Sequence, residues 1–195
     1  MATLDRVTEP DDLAYVRANY ATLAEICAAG KRSLVDARSL IGRRRVPGPS
    51  YVLADGTEMF PWDLFALLDE TGDPEAVHAA FAQRMRAGSI AQGVPCTAED
   101  LDRDWQEYVA GTYGICLKLV SPESIARKAR LLRDIDRLCA EPEPDAPEWR
   151  RALQVAVDEL DALERPFARF DRIRFGRPCT RDTHIDAVRR RFPLG

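Results

Sequence analysis

Metal-ligand spacing is missing from this sequence. Its two histidines, His78 and His184, lie far apart, and its five cysteines, Cys27, Cys96, Cys116, Cys139 and Cys179, contain no CxxC pair. That excludes the usual Cys/His zinc patterns. An odd, widely spaced cysteine set fits reduced and mostly buried thiols better than a disulfide framework. The expectation is no metal and no redox cofactor. Also missing is any apolar run near the 18 or so residues that a membrane span needs, so no membrane partner is expected. The opening "MATLDRVTEPDDLAYV" carries acids at once and lacks the basic-then-apolar order of a secretory signal. The expected location is cytoplasmic. No Gly-rich phosphate loop, G-x-S-x-G, H-E-x-x-H or EF-hand pattern occurs. Lysine is scarce: of 28 basic residues, only Lys31, Lys118 and Lys128 are not arginine. With abundant alanine this reads as the codon bias of a GC-rich bacterium, and it carries no mechanism.

What is present is helical periodicity. The 195 residues, 46% of them hydrophobic, suffice for one compact unit. The expected division is an N-terminal subdomain over 1–72 and a helical part over 73–195. In "EPDDLAYVRANYATLAEICAAG" the spacing of Leu13, Val16, Tyr20, Leu23 and Cys27 predicts one helix closed by Gly30. Ser33 caps a second, with Leu34, Ala37, Leu40 and Ile41 inward. In "VPGPSYVLADGTEMFPWDLFALL", Pro47 and Pro49 forbid helix, and β-formers flank Asp55-Gly56. That predicts a hairpin over 51–59. Pro61 and Pro74 each open a helix. Thr97 and Asp100 form a capping box for the next. Ser121-Pro122 starts another that runs to about Ala140, with Ile125, Ala129, Leu132, Ile135 and Cys139 inward. "EWRRALQVAVDELDALE" is amphipathic, and Thr180 caps a last helix with Ile185, Val188 and Phe192 inward. "GSIAQGVPC" reads as a loop, and "YGICLKLV" as either a strand or a buried turn. The expected fold class is mainly α: a helical domain with a winged-helix-like N-terminal unit containing one β-hairpin.

Four features could carry chemistry, the last of them Cys116. Residues 31–45 hold Lys31, Arg32, Arg38, Arg43, Arg44 and Arg45 against Asp36, six positive charges less one, or +5. Yet Asp55 and Glu58 make the hairpin tip acidic, which repels phosphate, and the whole chain is −4. Nucleic acid is therefore an unfavoured partner. The basic stretch also reads as a solvated helix end or a dock for an acidic protein. The second feature is the pair Asp55 and Glu58 as catalytic carboxylates, flanked by Tyr51 and Trp62, since an apolar wall raises a carboxyl pKa. For Asp55 the competing reading is turn geometry. The third is the tail "ERPFARFDRIRFGRPCTRDTHI", where arginines interleave with aromatics. Arg165, Asp171 and Arg174, with Tyr51 and Tyr113, are candidate substrate-binding residues, because guanidinium groups grip carboxylate or phosphate bidentately. The competing reading is Arg–Asp pairing that locks an irregular tail. Cys116 as a nucleophile would need a base, and neither histidine is near it in sequence.

"PSYVLADGTEMFP", "YGICLK" and "ERPFARFDRIRFGRPCTRDTHI", in this order, resemble the DUF6058 family, from about Tyr15 to Phe192. The resemblance implies a role in natural-product biosynthesis, that is, secondary metabolism, and it implies no catalytic residues. The leading expectation is a small pathway protein that binds or converts a small metabolite by cofactor-free acid–base chemistry such as cyclisation, dehydration or hydrolysis. The alternatives are a DNA-binding or pathway-regulating protein and a non-catalytic adaptor for a carrier protein or pathway enzyme.

Overall fold

The computed structural model describes residues 6–193. In chain order the elements are β1 (Arg6–Val7), α1 (Pro10–Asn19), β2 (Ala21–Thr22), α2 (Leu23–Ala29), α3 (Leu34–Gly42), β3 (Tyr51–Leu53), β4 (Glu58–Phe60), α4 (Ala66–Thr71), α5 (Val77–Gln92), α6 (Ala98–Val109), α7 (Thr112–Cys116), α8 (Pro122–Ala140), α9 (Pro147–Leu163), α10 (Arg169–Arg174), a π-helical segment (Arg181–Asp186) and α11 (Ala187–Arg191). The fold is mainly α, as the periodicity implies.

Caps open several helices where the sequence supplies an acceptor. Ser33 Oγ accepts Asp36 N–H at 3.3 Å, Thr97 and Asp100 cap each other, and Ser121 Oγ accepts Ser124 N–H at 3.1 Å. The hairpin turns at Asp55-Gly56. Gly56 donates to the Leu53 carbonyl at 2.9 Å and takes φ +87°, which is the left-handed glycine of a three-residue loop. Two further strands extend this hairpin into a sheet of order β1-β3-β4-β2, with β1 parallel to β3 and β2 antiparallel to β4. The helix–turn–helix–hairpin order is present, but β3 and β4 are the inner strands of a sheet.

Several expectations need correction. The single helix predicted over the first thirty residues is two, because Ala21 and Thr22 pair with Phe60 and Met59. Thr22 then starts α2 with Glu25 as a second capping box. The helix expected from Pro61 begins only at Ala66, after turns in which Leu64 N–H reaches the Pro61 carbonyl and Ala66 N–H that of Asp63. Of the loop expected at "GSIAQGVPC", residues 88–92 form the last turn of α5 and residues 93–96 lie outside any helix. Gly88 is used there for close approach: a Cβ would lie 3.3 Å from Ala126 Cβ and 3.5 Å from Glu123 Cα of α8. "YGICLKLV" is short helix followed by one antiparallel bridge, Leu117 to Glu164. Leu34 and Ala129 face solvent, not the core. Helix α8 lies between α5 and α9, so its buried stripe widens to Ala126, Leu131 and Leu138. Thr180 does not cap a helix, and the segment after it is π-helical.

The apolar side chains gather in three clusters. One joins α2 through α6, with Phe60, Phe81, Trp105 and Tyr108. A second lies between α8, α9 and the C-terminal helical turns, around Leu131, Leu153, Leu160 and Ile185. The third sits on the sheet, where Val7, Tyr20 and Tyr51 meet Ile115 and Phe170.

Candidate functional site

Tyr51, Asp171 and Arg174 meet, as one strand of the hairpin packs on α10. Tyr51 Oη donates to Asp171 Oδ2 at 2.9 Å, and Ala168 N–H donates to the same oxygen at 2.9 Å. Arg174 donates to Asp171 Oδ1 at 3.3 Å and to the Ser50 carbonyl at 2.9 Å, with its guanidinium 5.1 Å from the centre of the Tyr51 ring. Burial pushes the Asp171 carboxyl up, against Tyr51 and Arg174, and pushes the Tyr51 phenol far up. These groups spend most of their hydrogen bonds on each other and on the Ser50 and Ala168 backbone, while buried Arg174 Nε has no protein partner among the described residues.

The other predicted residues lie apart from them. Arg165 donates to the Leu117 and Lys118 carbonyls at 2.9 and 3.2 Å and stacks over Tyr20. Tyr113 donates to Asp104 at 2.9 Å, and burial raises its pKa. Asp55 is an exposed turn residue whose carboxyl the Thr57 N–H holds below the usual range. Glu58 pairs with Arg38. The basic stretch is largely met inside the molecule: Arg32 by Asp69, Arg43 and Arg45 by Glu75, and Arg44 by Gln106.

A cavity of about 460 Å³ opens elsewhere, between α7, α8 and the segment from Phe167 to His184. Ile115, Phe167, Phe175 and Pro178 make it apolar. Lys128 reaches it from α8, three residues after buried Ile125 and so on the same helix face. Its ammonium lies 2.7 Å from Glu164 Oε1, with the lysine side chain 12% exposed and the glutamate 0%. The Thr180 hydroxyl donates to that same oxygen, and Glu164 Oε2 has no protein partner. Glu164 is placed by the bridge to Leu117 just past the end of α9. Burial pulls Lys128 down, but Cys116 and Glu164 beside it outweigh burial and leave it above the ordinary lysine range. Burial raises the Cys116 thiol against the pull of Lys128, and raises Cys179 to about 11. At neutral pH Lys128 is therefore an ammonium and both thiols are protonated. Cys116 is not poised as a nucleophile.

At the other side of the cavity the π-helical segment presents Thr183 and His184. His184 Nδ1 lies 2.8 Å from Thr183 Oγ1, and His184 Nε2 lies 3.1 Å from Asp136 Oδ1 of α8. Arg177 stands exposed at the rim and makes no ion pair among the described residues.

Residues 75–193 match a family described as "Family of unknown function (DUF6058)". The chain belongs to the DUF6058 family. No curated protein and no solved structure matches it. The DUF6058 span runs from the approach to α5 to the end of α11, so every residue lining the cavity lies within it. It includes "YGICLK" and the Arg-rich tail block. The hairpin block "PSYVLADGTEMFP" lies outside it, and the match stops well short of Tyr15.

Sequence reasoning placed Arg177 in the Arg-rich tail without singling it out, read Thr180 only as a cap, and passed over Lys128, Glu164, Thr183 and His184 as site residues. One signal was available. Lys128 is a lysine three residues from Ile125 and seven from Ile135 on an otherwise apolar helical face, in a chain with only three lysines. Nothing in the spacing links Glu164 or Asp136 to it, because those meetings depend on how α8 packs against α9 and the tail.

Proposed function

We propose that this DUF6058 chain binds a small amphipathic molecule, an apolar body bearing one anionic group, in the cavity between α7, α8 and the C-terminal segment. The observation that carries this is the lining itself. An apolar wall encloses about 460 Å³, within the roughly 300–1,000 Å³ of small-molecule sites. Its cationic groups differ in use. Lys128 is already matched by Glu164 and can lend a further N–H to a ligand oxygen, while Arg177 is open to a carboxylate or phosphate. Side chains alone supply this recognition. A place in natural-product biosynthesis belongs with the proposal and is supported by the family resemblance only. A nucleic-acid ligand is less well supported, since carboxylates within the molecule meet most of the basic residues 31–45.

The test is fluorescence titration with 8-anilinonaphthalene-1-sulfonate, an aromatic anion of suitable shape, followed by displacement with straight-chain carboxylates. A charge-assisted hydrogen bond contributes about 1.5–3 kcal/mol. Arg177→Ala should therefore weaken the probe roughly 10- to 150-fold and leave the melting temperature unchanged. Thr112→Trp, which fills the cavity, should abolish binding. Undiminished binding in both variants would remove the reading.

A further inference from the structure

We infer that the same cavity is an acyl-ester hydrolase site in which Thr183 is the nucleophile, His184 its base and Asp136 the residue that orients the base. The inference rests on the cavity being a ligand site and goes beyond binding. Both ring nitrogens of His184 are committed, Nε2 to Asp136 at 3.1 Å and Nδ1 to Thr183 Oγ1 at 2.8 Å. Asp136 is a carboxylate acceptor, so it holds the proton on Nε2 and leaves the Nδ1 lone pair facing the hydroxyl. The group that His184 can activate in this arrangement is then Thr183. This is the nucleophile–base–orienter geometry of triad enzymes. Thr183 and His184 both line the cavity, and the same lining carries Arg177, unpaired among the described residues and a cationic group suited to a developing oxyanion. They stand on a π-helical segment, a backbone form concentrated at functional sites.

The bland reading of the trio is a tether of the tail to α8. One fact weighs against it. Asp136 is 72% exposed and His184 20%, so solvent screens the contact and such a tether adds little stability. The Thr183 hydroxyl also reaches the Cys179 and Thr180 carbonyls at 3.3 Å, so its proton is shared between them and His184 Nδ1 at the shorter 2.8 Å.

The reaction balances without any cofactor. Thr183 Oγ attacks the ester carbonyl carbon while its proton passes to His184 Nδ1, and the carbonyl electron pair becomes an oxyanion facing the cationic lining. Collapse of this intermediate expels the alcohol, which takes the proton from His184 and leaves an acyl-threonine. Water then attacks the acyl carbon, giving its proton to His184, and collapse releases the carboxylic acid and returns the proton to Thr183. The substrate class is an ester with a compact apolar acyl group.

The experiment is hydrolysis of p-nitrophenyl butyrate by the full chain, with 8-anilinonaphthalene-1-sulfonate binding measured on each variant. His184→Ala should cost about 10²–10⁴-fold in rate, and Asp136→Asn, outside the cavity lining, should leave probe binding intact. Thr183→Ala should abolish turnover, and Thr183→Ser should restore it. Asp136→Asn, an exposed change that keeps the fold, should slow turnover without moving the melting temperature. A fluorophosphonate should add mass at Thr183. If the wild-type chain hydrolyses the ester no faster than His184→Ala or Asp136→Asn while still binding the probe, the hydrolase inference falls and the binding reading stands. Loss of probe binding from the cavity variants bears on the binding reading alone.

Discussion

Two buried polar clusters centre on carboxylates of the C-terminal half, Asp171 and Glu164, and they differ in what lies beside them. Around Asp171, the carboxylate takes Tyr51, Ala168 and Arg174, and the arginine goes on to the Ser50 carbonyl. Around Glu164, one oxygen takes Lys128 and Thr180, the other takes no protein group, and the lysine borders a cavity. The first cluster fastens the sheet to α10, and its unpartnered buried atom, Arg174 Nε, does not line that cavity. The second is left with unused hydrogen-bonding capacity beside open volume, which is what a binding site requires. A buried charge is therefore a guide to function only when space adjoins it.

The comparison breaks most sharply at Asp171. Asp171→Ala leaves Arg174 buried beside an unpartnered Tyr51 hydroxyl. Removing one partner of a buried pair costs about 3–5 kcal/mol, so urea denaturation should show a loss of that size. An unchanged unfolding midpoint would mean that the cluster is not structural.

Lys128→Met strands the Glu164 carboxylate and should cost somewhat less, about 3 kcal/mol, because Thr180 still donates to it. Here the double variant Lys128→Met/Glu164→Gln sharpens the contrast. It should recover most of the stability, since no buried charge remains, yet still bind the anionic probe less tightly than the wild type. Recovery of both would show that the lysine serves only to neutralise Glu164.

Acid should separate the two regions next. Arg172 holds Asp182 below its ordinary 3.8, and at Asp161 burial is outweighed by Arg189 and Arg181, with the same result. A lowered carboxyl contributes stability that is present above its unfolded value and lost as pH falls through the folded one. The tail should therefore loosen below about pH 4. Asp171 is raised, so its contribution runs the other way, present at low pH and lost as pH rises through its folded value. Hydrogen exchange at pH 6, 4.5 and 3 should show the π-helical segment and α11 opening before the sheet does. The reverse order would contradict these assignments.

The smallest effect is expected at the hairpin. Glu58→Gln breaks a pair with an exposed Arg38, and exposed pairs are worth about 0–1 kcal/mol. Probe binding and ester hydrolysis should be unaffected, and loss of either would return the hairpin carboxylates to the site.

The sequence by itself determined the local events. Asp55-Gly56 fixed the hairpin because a left-handed turn needs glycine, and Ser33, Thr97 and Ser121 fixed three helix starts because each supplies an acceptor to orphan N–H groups within three residues. The mainly α class followed from periodicity. Thr22 and Glu25 also carried a legible cap, hidden by an apolar spacing that ran on across it. Tertiary structure decided the rest. Only pairing with Phe60 and Met59 turns Ala21 and Thr22 into a strand, and only packing brings α8 close enough to Gly88 to use its missing Cβ. The cavity groups come from positions as distant as Cys116, Lys128 and His184, and Glu164 meets them through Lys128 and Thr180. Capping and turn geometry act over three or four residues, so they can be read along the chain. Burial, and the volume left between packed helices, depend on side chains far apart in sequence, so they exist only once α8, α9 and the tail have met.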